Sequence, residues 1–254
     1  MESVKYVFIS FMVFNLALAC QKPGQTATFD PSKSHPQAIA IADEVIEASG
    51  GQAAWDSTNY LAWDFFGRRR LIWDKLHQRA RITALDSLQS YDIIVDLNTK
   101  KGLVKLKGEP QSHPDTLDKY LDRGYKMWIN DSYWLVMPFK LKDPGVKLRY
   151  LGEDSTHANI FSDVIDLTFD SVGVTPQNRY AVWVGKKTRL VVQWAYFANA
   201  QDTVPAIINP WHQYLKYGGI FLASDRGTRG ELTNIKVYDE LPTSVFTSLE
   251  PVEF

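Results

Sequence analysis

The chain has 254 residues, 45% of them hydrophobic and 22% charged, with a formal net charge of -1. That is enough apolar matter for a packed core, and it excludes an intrinsically disordered chain. Charges of both signs are dispersed, which argues against a nucleic-acid surface, and a single cysteine excludes an internal disulfide.

The opening segment reads as an export signal. Lys5 supplies a short positive region, Tyr6 to Phe14 an apolar run broken only by Ser10, and Ala17, Leu18 and Ala19 precede Cys20. The run is too short to cross a bilayer, so residues 1–19 are expected to be a signal peptide rather than a spanning helix. The sole cysteine directly after it resembles a bacterial lipoprotein signal, which implies that Cys20 is the acylated first residue of the mature protein. Ala17 stands where that pattern has leucine, and the plainer alternative is a secreted protein with an incidental thiol. Each buried acyl methylene contributes about 0.8 kcal/mol, so several chains on one cysteine would make a lasting anchor. Gln21 is not the acidic residue that, by the same resemblance, retains lipoproteins in the inner membrane, and no acidic cluster follows. The expectation is a cell-envelope lipoprotein, held in the outer membrane and facing the periplasm. Residues 20–35 form its lipidated N-terminus and flexible tether, rich in Pro, Gly, Ser and Thr. Residues 36–254 form a single domain.

Within that domain, Pro36 to Ser49 carries Ala38, Ile41, Ala42, Val45 and Ile46 on one helical stripe. Pro36 suits the first turn and Gly50-Gly51 supplies the stop. Gln52 to Asp56 adds a short helical turn with Trp55. From Asn59 the period becomes two. Strands are expected at 59–66 and 71–73 around a Gly67–Arg70 turn, then at 78–85, 91–97 and 102–106. Further strands follow at 146–151 and 165–169, at 179–184 and 190–197 as a hairpin turning through 185–188, and at 219–223 and 231–238. Alternation with one wet face, joined by short turns, implies an antiparallel meander. With one long helix beside many strands, the fold class is α+β: a curved antiparallel half-barrel whose apolar concave face is covered by helices. Asp166 and Asp170 read as the solvated side of their strand. The Arg68-Arg69-Arg70 run reads as a solvated hairpin end, with a lipid-headgroup contact as the alternative.

Residues 133–137, Tyr-Trp-Leu-Val-Met, are apolar on every side, which neither a half-wet strand nor an amphipathic helix requires. A short helix over Asp131–Val136, capped by Asn130 and ended by Pro138, would satisfy them if it lay inside the curve of the sheet. Asp143-Pro144-Gly145 then turns the chain back into a strand.

The tract from Asn130 to Gly152, N-D-S-Y-W-L-V-M-P-F-K-L-K-D-P-G-V-K-L-R-Y-L-G, together with the helix ending at Gly50-Gly51 and Trp55 behind it, resembles uncharacterised envelope lipoproteins of the Bacteroidetes type. Through them the chain resembles the outer-membrane lipoprotein-sorting (LolA/LolB-like) family. The later V-W-V-G-K-K-T-R-L-V-V-Q-W hairpin fits the same pattern, and the likeness covers most of residues 36–240. It implies an eleven-stranded half-barrel around an apolar cavity, lidded by helices, that holds acyl chains and has no catalytic residue.

Eight tryptophans and 13% aromatic residues give that cavity a physical basis. The candidates to line it are Trp63, Phe65, Trp134, Leu135, Met137, Phe139, Trp183 and Trp194, though each alone is equally suited to a closed core. A chain of about fifteen methylenes would gain on the order of 12 kcal/mol gross. The five histidines are scattered, with no metal-ligand spacing. Ser155-Thr156-His157 offers triad residue types, but as sequence neighbours in one loop. No nucleotide or hydrolase motif is present. The expectation is therefore a non-enzymatic protein with no cofactor and no metal. Its partners are the membrane, through Cys20, and a lipid or acyl chain, with an envelope protein as a further partner. Two alternatives stay open: a glycan-binding surface lipoprotein, and an interaction scaffold whose cavity is filled by its own helix.

Overall fold

The protein is described here by a computed structural model covering residues 28–86, 89–170 and 175–252. The signal segment, Cys20 and the tether as far as residue 27 lie outside the described residues. Asp30 caps a short 3-10 turn, Pro31–Lys33, by accepting from the Ser32 backbone and hydroxyl at 3.1 and 2.6 Å. The next two residues are fastened to the domain. The Leu148 N–H donates to Ser34 Oγ and the His35 N–H donates to the Leu148 carbonyl, each at 2.9 Å. The stretch read as tether is thus docked from Asp30 onward.

Helix α1, Pro36–Ala48, buries the expected stripe. Its end is a Schellman motif: the Gly51 N–H reaches the Ile46 carbonyl at 2.9 Å and the Gly50 N–H reaches Glu47 at 3.0 Å. A Cβ on Gly50, whose φ is 118°, would stand 2.5 Å from the Gly219 carbonyl oxygen, so both conformation and crowding require glycine. Helix α2 is Gln52–Ser57.

A seven-stranded antiparallel sheet follows. It contains β1 (Tyr60–Phe65), β2 (Arg69–Asp74), β3 (Arg79–Ala84), β4 (Tyr91–Asp96), β5 (Gly102–Leu106) and β6 (Glu109–Pro110). The last strand of the chain, β14 (Leu232–Tyr238), returns beside β1. Its inner face carries Leu61, Trp63 and Phe65 beside Trp73, Leu71, Ile82 and Ile93, all in the main core. Its outer face is also apolar in part. Tyr60, Ala62, Ile72 and Ile94 are covered by Val245 and Phe246 from the C-terminal 3-10 turn, Thr243–Phe246. Arg81 binds that segment down, pairing with Asp92 while donating to the Ser248 and Glu250 carbonyls at 3.2 and 2.7 Å.

Between β6 and the second sheet runs helix α3, Pro114–Val136, 23 residues long, continued by a 3-10 turn over Met137–Lys140. The expected short helix at 131–136 is only its last turns, and Asn130 is interior rather than a cap. Gly124 hides the longer element, because a mid-helix glycine costs about 1 kcal/mol against alanine and reads as a break. The structural reason for it is proximity: a Cβ there would lie 2.8 Å from Ile93 Cγ2. The all-apolar 133–137 tract is explained by position, since this end of α3 is wedged between the two sheets.

The second sheet has five strands, ordered β11-β10-β9-β8-β7, from β7 (Val146–Ser155), β8 (Phe161–Phe169), β9 (Arg179–Gly185), β10 (Val191–Phe197) and β11 (Ile207–Pro210). A separate ribbon pairs β12 (His212–Tyr217) with β13 (Ile220–Asp225). The class is α+β, an open and curved antiparallel wall with few helices, as the periodicity required. It has fourteen strands among the described residues rather than eleven, twelve of them in two sheets on either side of α3 in the chain and two in the ribbon. Strands β6, β11 and β12 escape a reading by alternation, since prolines and polar residues interrupt them. Asp166 is not solvated: it is 3% exposed and clasped by Arg149 at 3.0 Å and Arg179 at 2.9 Å. The arginine run is likewise engaged, Arg69 with Asp131 and Arg70 with Asp64. Among the described residues no helix is long and apolar enough to cross a membrane.

Candidate functional site: a cleft between helix α3 and the five-stranded sheet

Helix α3 shows different faces to its two neighbours. Leu121, Gly124, Trp128, Asp131 and Leu135 recur at three- and four-residue spacing and sit toward the seven-stranded sheet, where Trp128 meets Trp73 edge-on at 5.4 Å. Asp131 is fully buried and takes a bidentate contact from Arg69, at 2.6 and 2.7 Å. Lys126, Ile129 and Tyr133 occupy the other stripe and border a cavity of about 520 Å³.

The opposite wall is built by strand alternation. Tyr196 pairs with Tyr180 and Trp194 with Val182, so period two places Tyr180, Trp194 and Tyr196 on the concave face. Their rings touch, with Tyr180 centred 5.3 Å from Trp194 and 5.4 Å from Tyr196. Helix and sheet meet beside the cleft, where the Tyr133 ring contacts Tyr180 with centroids 5.1 Å apart and Trp134 meets Trp194 edge-on at 4.9 Å. Phe169 closes the side against Tyr180 at 5.8 Å. The exposed surface of the lining is mostly apolar, supplied by aromatic and aliphatic side chains, with polar side chains among them.

The polar side chains include Lys126, Lys140, Asp143, Thr175 and Asn178. Lys140 pairs with Asp143 at 2.8 Å and Lys126 with Asp122 at 2.6 Å. Tyr196 Oη donates to Asn178 Oδ1 at 3.3 Å, and Asn178 Nδ2 donates to Thr175 Oγ1 at 2.6 Å. Burial pushes the Tyr180 hydroxyl up to about 12 and the Tyr133 hydroxyl well above the usual phenol value. Both are neutral at physiological pH.

The end of α3 is held in place by Arg226, which follows β13 and is fully buried. It lies 3.5 Å over the Trp211 ring and donates to the Trp134 carbonyl at 2.6 Å, satisfying one of the helix's terminal acceptors. Burial lowers its guanidinium to about 9.

Two of the sequence candidates, Trp134 and Trp194, line the cleft. Trp63, Phe65, Leu135, Met137 and Phe139 sit in closed core. Phe139 stacks on Trp55 with centroids 4.6 Å apart and an interplanar angle of 8°. Trp183 lies on the outer face of the five-stranded sheet, where its Nε1 donates to Asp154 at 3.1 Å. Sequence reasoning missed Tyr133, Tyr180 and Ile129 as lining residues. Alternation through 179–185 places Tyr180 with Trp194, but the stripe carrying Ile129 is legible only once the whole of α3 is drawn.

The Ser155-Thr156-His157 loop makes the β7–β8 turn. Thr156 Oγ1 accepts the Ala158 and Ile160 N–H groups at 3.2 and 3.1 Å, while His157 is exposed. Among the described residues no three His, Cys, Asp or Glu side chains gather to hold a metal ion.

No family model matches the chain, and no curated protein matches it. Among solved structures the chain is similar to a DUF1329 family protein from Desulfovibrio piger. The sequence identity is 14% and the TM-score 0.46, over 83% of this chain and 97% of that one.

Proposed function

We propose that the protein is a LolA/LolB-like envelope lipoprotein, anchored through an acylated Cys20 in the outer membrane and facing the periplasm, that holds a lipid or acyl moiety non-covalently. The observation that carries this reading is the cleft of about 520 Å³ between α3 and the five-stranded sheet, bordered by Trp134, Tyr180, Trp194 and Phe169. Apolar walls of this size gain by covering a chain, and no charged anchor is needed for affinity. Its role is retention rather than chemistry.

Native mass spectrometry of gently purified protein tests the reading. A bound mass of lipid size is expected, and Ile129→Glu, which puts a charge on the cleft stripe of α3, removes it while leaving the fold intact. A chain that neither carries nor takes up lipid defeats the proposal. The anchor is tested separately: Cys20→Ala moves the protein from the membrane to the soluble fraction, and an unchanged distribution rules out acylation. The hydroxylated edges of Tyr180 and Tyr196 favour a glycan stacked in the cleft as the second reading. Glycan binding lost in Tyr180→Ala, in a protein that ignores lipids, would establish it.

A further inference from the structure

We propose that the docked N-terminal segment holds the cleft end of the domain toward the bilayer that anchors Cys20, so that this membrane surface is the partner the cleft meets; this rests on the anchor reading above. The segment leaves the domain beside the cleft. Lys33 reaches Asp170 at 2.5 Å, and Asp170 directly follows the lining residue Phe169. Ser34 and His35 are bonded to Leu148, two residues along β7 from Val146, which also lines the cleft. Phe29 packs on the main core with Lys142 Nζ 5.9 Å over its ring, and Lys142 adjoins the lining residue Asp143. Contacts at residues 29, 33, 34 and 35 thus fix the exit point at the end of the β7–β8 pair where Val146 faces Phe169. Pro144 and Thr175, lining residues exposed to solvent, border the same end.

Chain length then limits how the domain can turn. The steps from Cys20 to Thr28, where the described chain begins, span at most about 28 Å, whatever path they take. A folded domain of this size has a radius of gyration of about 17 Å, which for a sphere means a diameter of about 44 Å. Inverting the domain would carry Thr28 to its far side, further from the bilayer than those residues reach. The cleft end is therefore the nearer one across nearly all of the range the chain permits. From that end β8 runs back to Phe161, which places the opposite end of the sheet about 27 Å further along the strand.

The test is energy transfer from the domain to the membrane. The chain has one cysteine, which acylation consumes, so an added thiol is labelled alone. Gln177→Cys, exposed at the cleft end, and Ala158→Cys, exposed at the opposite turn, each receive a donor dye. The acylated full chain is placed on phosphatidylethanolamine–phosphatidylglycerol vesicles containing a rhodamine-headgroup lipid. The donor at 177 is expected to lose more fluorescence than the donor at 158. Inserting about 24 Gly/Ser residues between Ala27 and Thr28 adds roughly 80 Å of reach and brings the two losses together. Equal losses without the insertion, or a larger loss at 158, overturn the inference. So does a difference that survives the insertion, because the short connection is then not its cause. A chain that does not stay on the vesicles overturns the anchor reading along with this one, a result distinct from failure of the orientation alone. None of these outcomes depends on what fills the cleft, so they are separable from the native mass measurement.

Discussion

The two sheets solve the same problem in opposite ways. The seven-stranded sheet is covered on both faces, by α3 within and by the C-terminal segment without; the first cover is fastened by the charged pair Asp131–Arg69, the second by Arg81, which pairs with Asp92 inside the sheet and donates to the Val245, Ser248 and Glu250 carbonyls. The five-stranded sheet takes only part of its concave face up in core contacts, chiefly against α1, and meets α3 across a cavity. Its outer face holds a small group, Val164, Ala181, Ala195 and Phe197, beside Trp183. One helix is thus core to the first sheet and wall to the second. A cleft needs a rigid side and an unfilled side, and here a single 23-residue element provides both.

The largest expected effect comes from cutting the helix loose from its rigid side. Asp131→Ala strands a guanidinium that is mostly out of water, and a cost of about 3–5 kcal/mol is expected in chemical denaturation. Replacing both partners, Arg69→Met with Asp131→Leu, should recover most of that loss. A single-site cost below about 1 kcal/mol would mean that α3 is not secured through this pair.

Next comes the outer cover. Phe246 is buried against Tyr60, with centroids 6.2 Å apart, and Arg79 lies over its ring. Phe246→Ala should cost about 3 kcal/mol. Hydrogen exchange should then accelerate in β1 and β2 while β9 and β10 keep their rates. Acceleration spread evenly over both sheets would erase the distinction drawn between them.

The smallest effect lies at one end of the five-stranded sheet, at an ionic contact that is exposed. Asp170, just beyond β8, accepts from Lys33 and Lys147, and these contacts hold its carboxyl down to about 2 from 3.8. A carboxyl depressed in the folded state contributes stability that is complete above its ordinary value and is lost as pH falls toward 2. Asp170→Asn should therefore be slightly less stable than the unmodified chain near neutrality, with the gap closing in acid. A gap that widens in acid would contradict the pairing. Exposed pairs contribute little and are screened, so salt should narrow the gap as well.

Much of the wall was legible in the residues. The Val-Trp-Val-Gly-Lys-Lys-Thr-Arg-Leu-Val-Val hairpin, the Gly50-Gly51 stop and the strand alternation each follow from local backbone preference and period, and the structure places them where that reading did. The site was legible only in part. Trp134 and Trp194 line the cleft, but Trp63 and Phe139, chosen by the same reasoning, are sealed in core. Ring size and apolarity suit a filled interior as well as a hollow one, so composition does not separate the two. The tract at 133–137 marked a place enclosed on all sides without saying by what.

What the sequence determined by itself was the class: one helix with a glycine stop, many alternating strands, an oily tract before an Asp-Pro-Gly bend, and a lone cysteine behind an export-like segment. Each depends on contacts within a few residues. Only the tertiary structure decided that α3 continues back to Pro114 through Gly124, that it divides the strands into two sheets, and that space is left on one side of it. Those outcomes are set by how residues far apart in the chain fill volume together. Gly124 seated on Ile93 closes one side, and the cavity bordered by Ile129, Phe169 and Tyr196 leaves the other partly open.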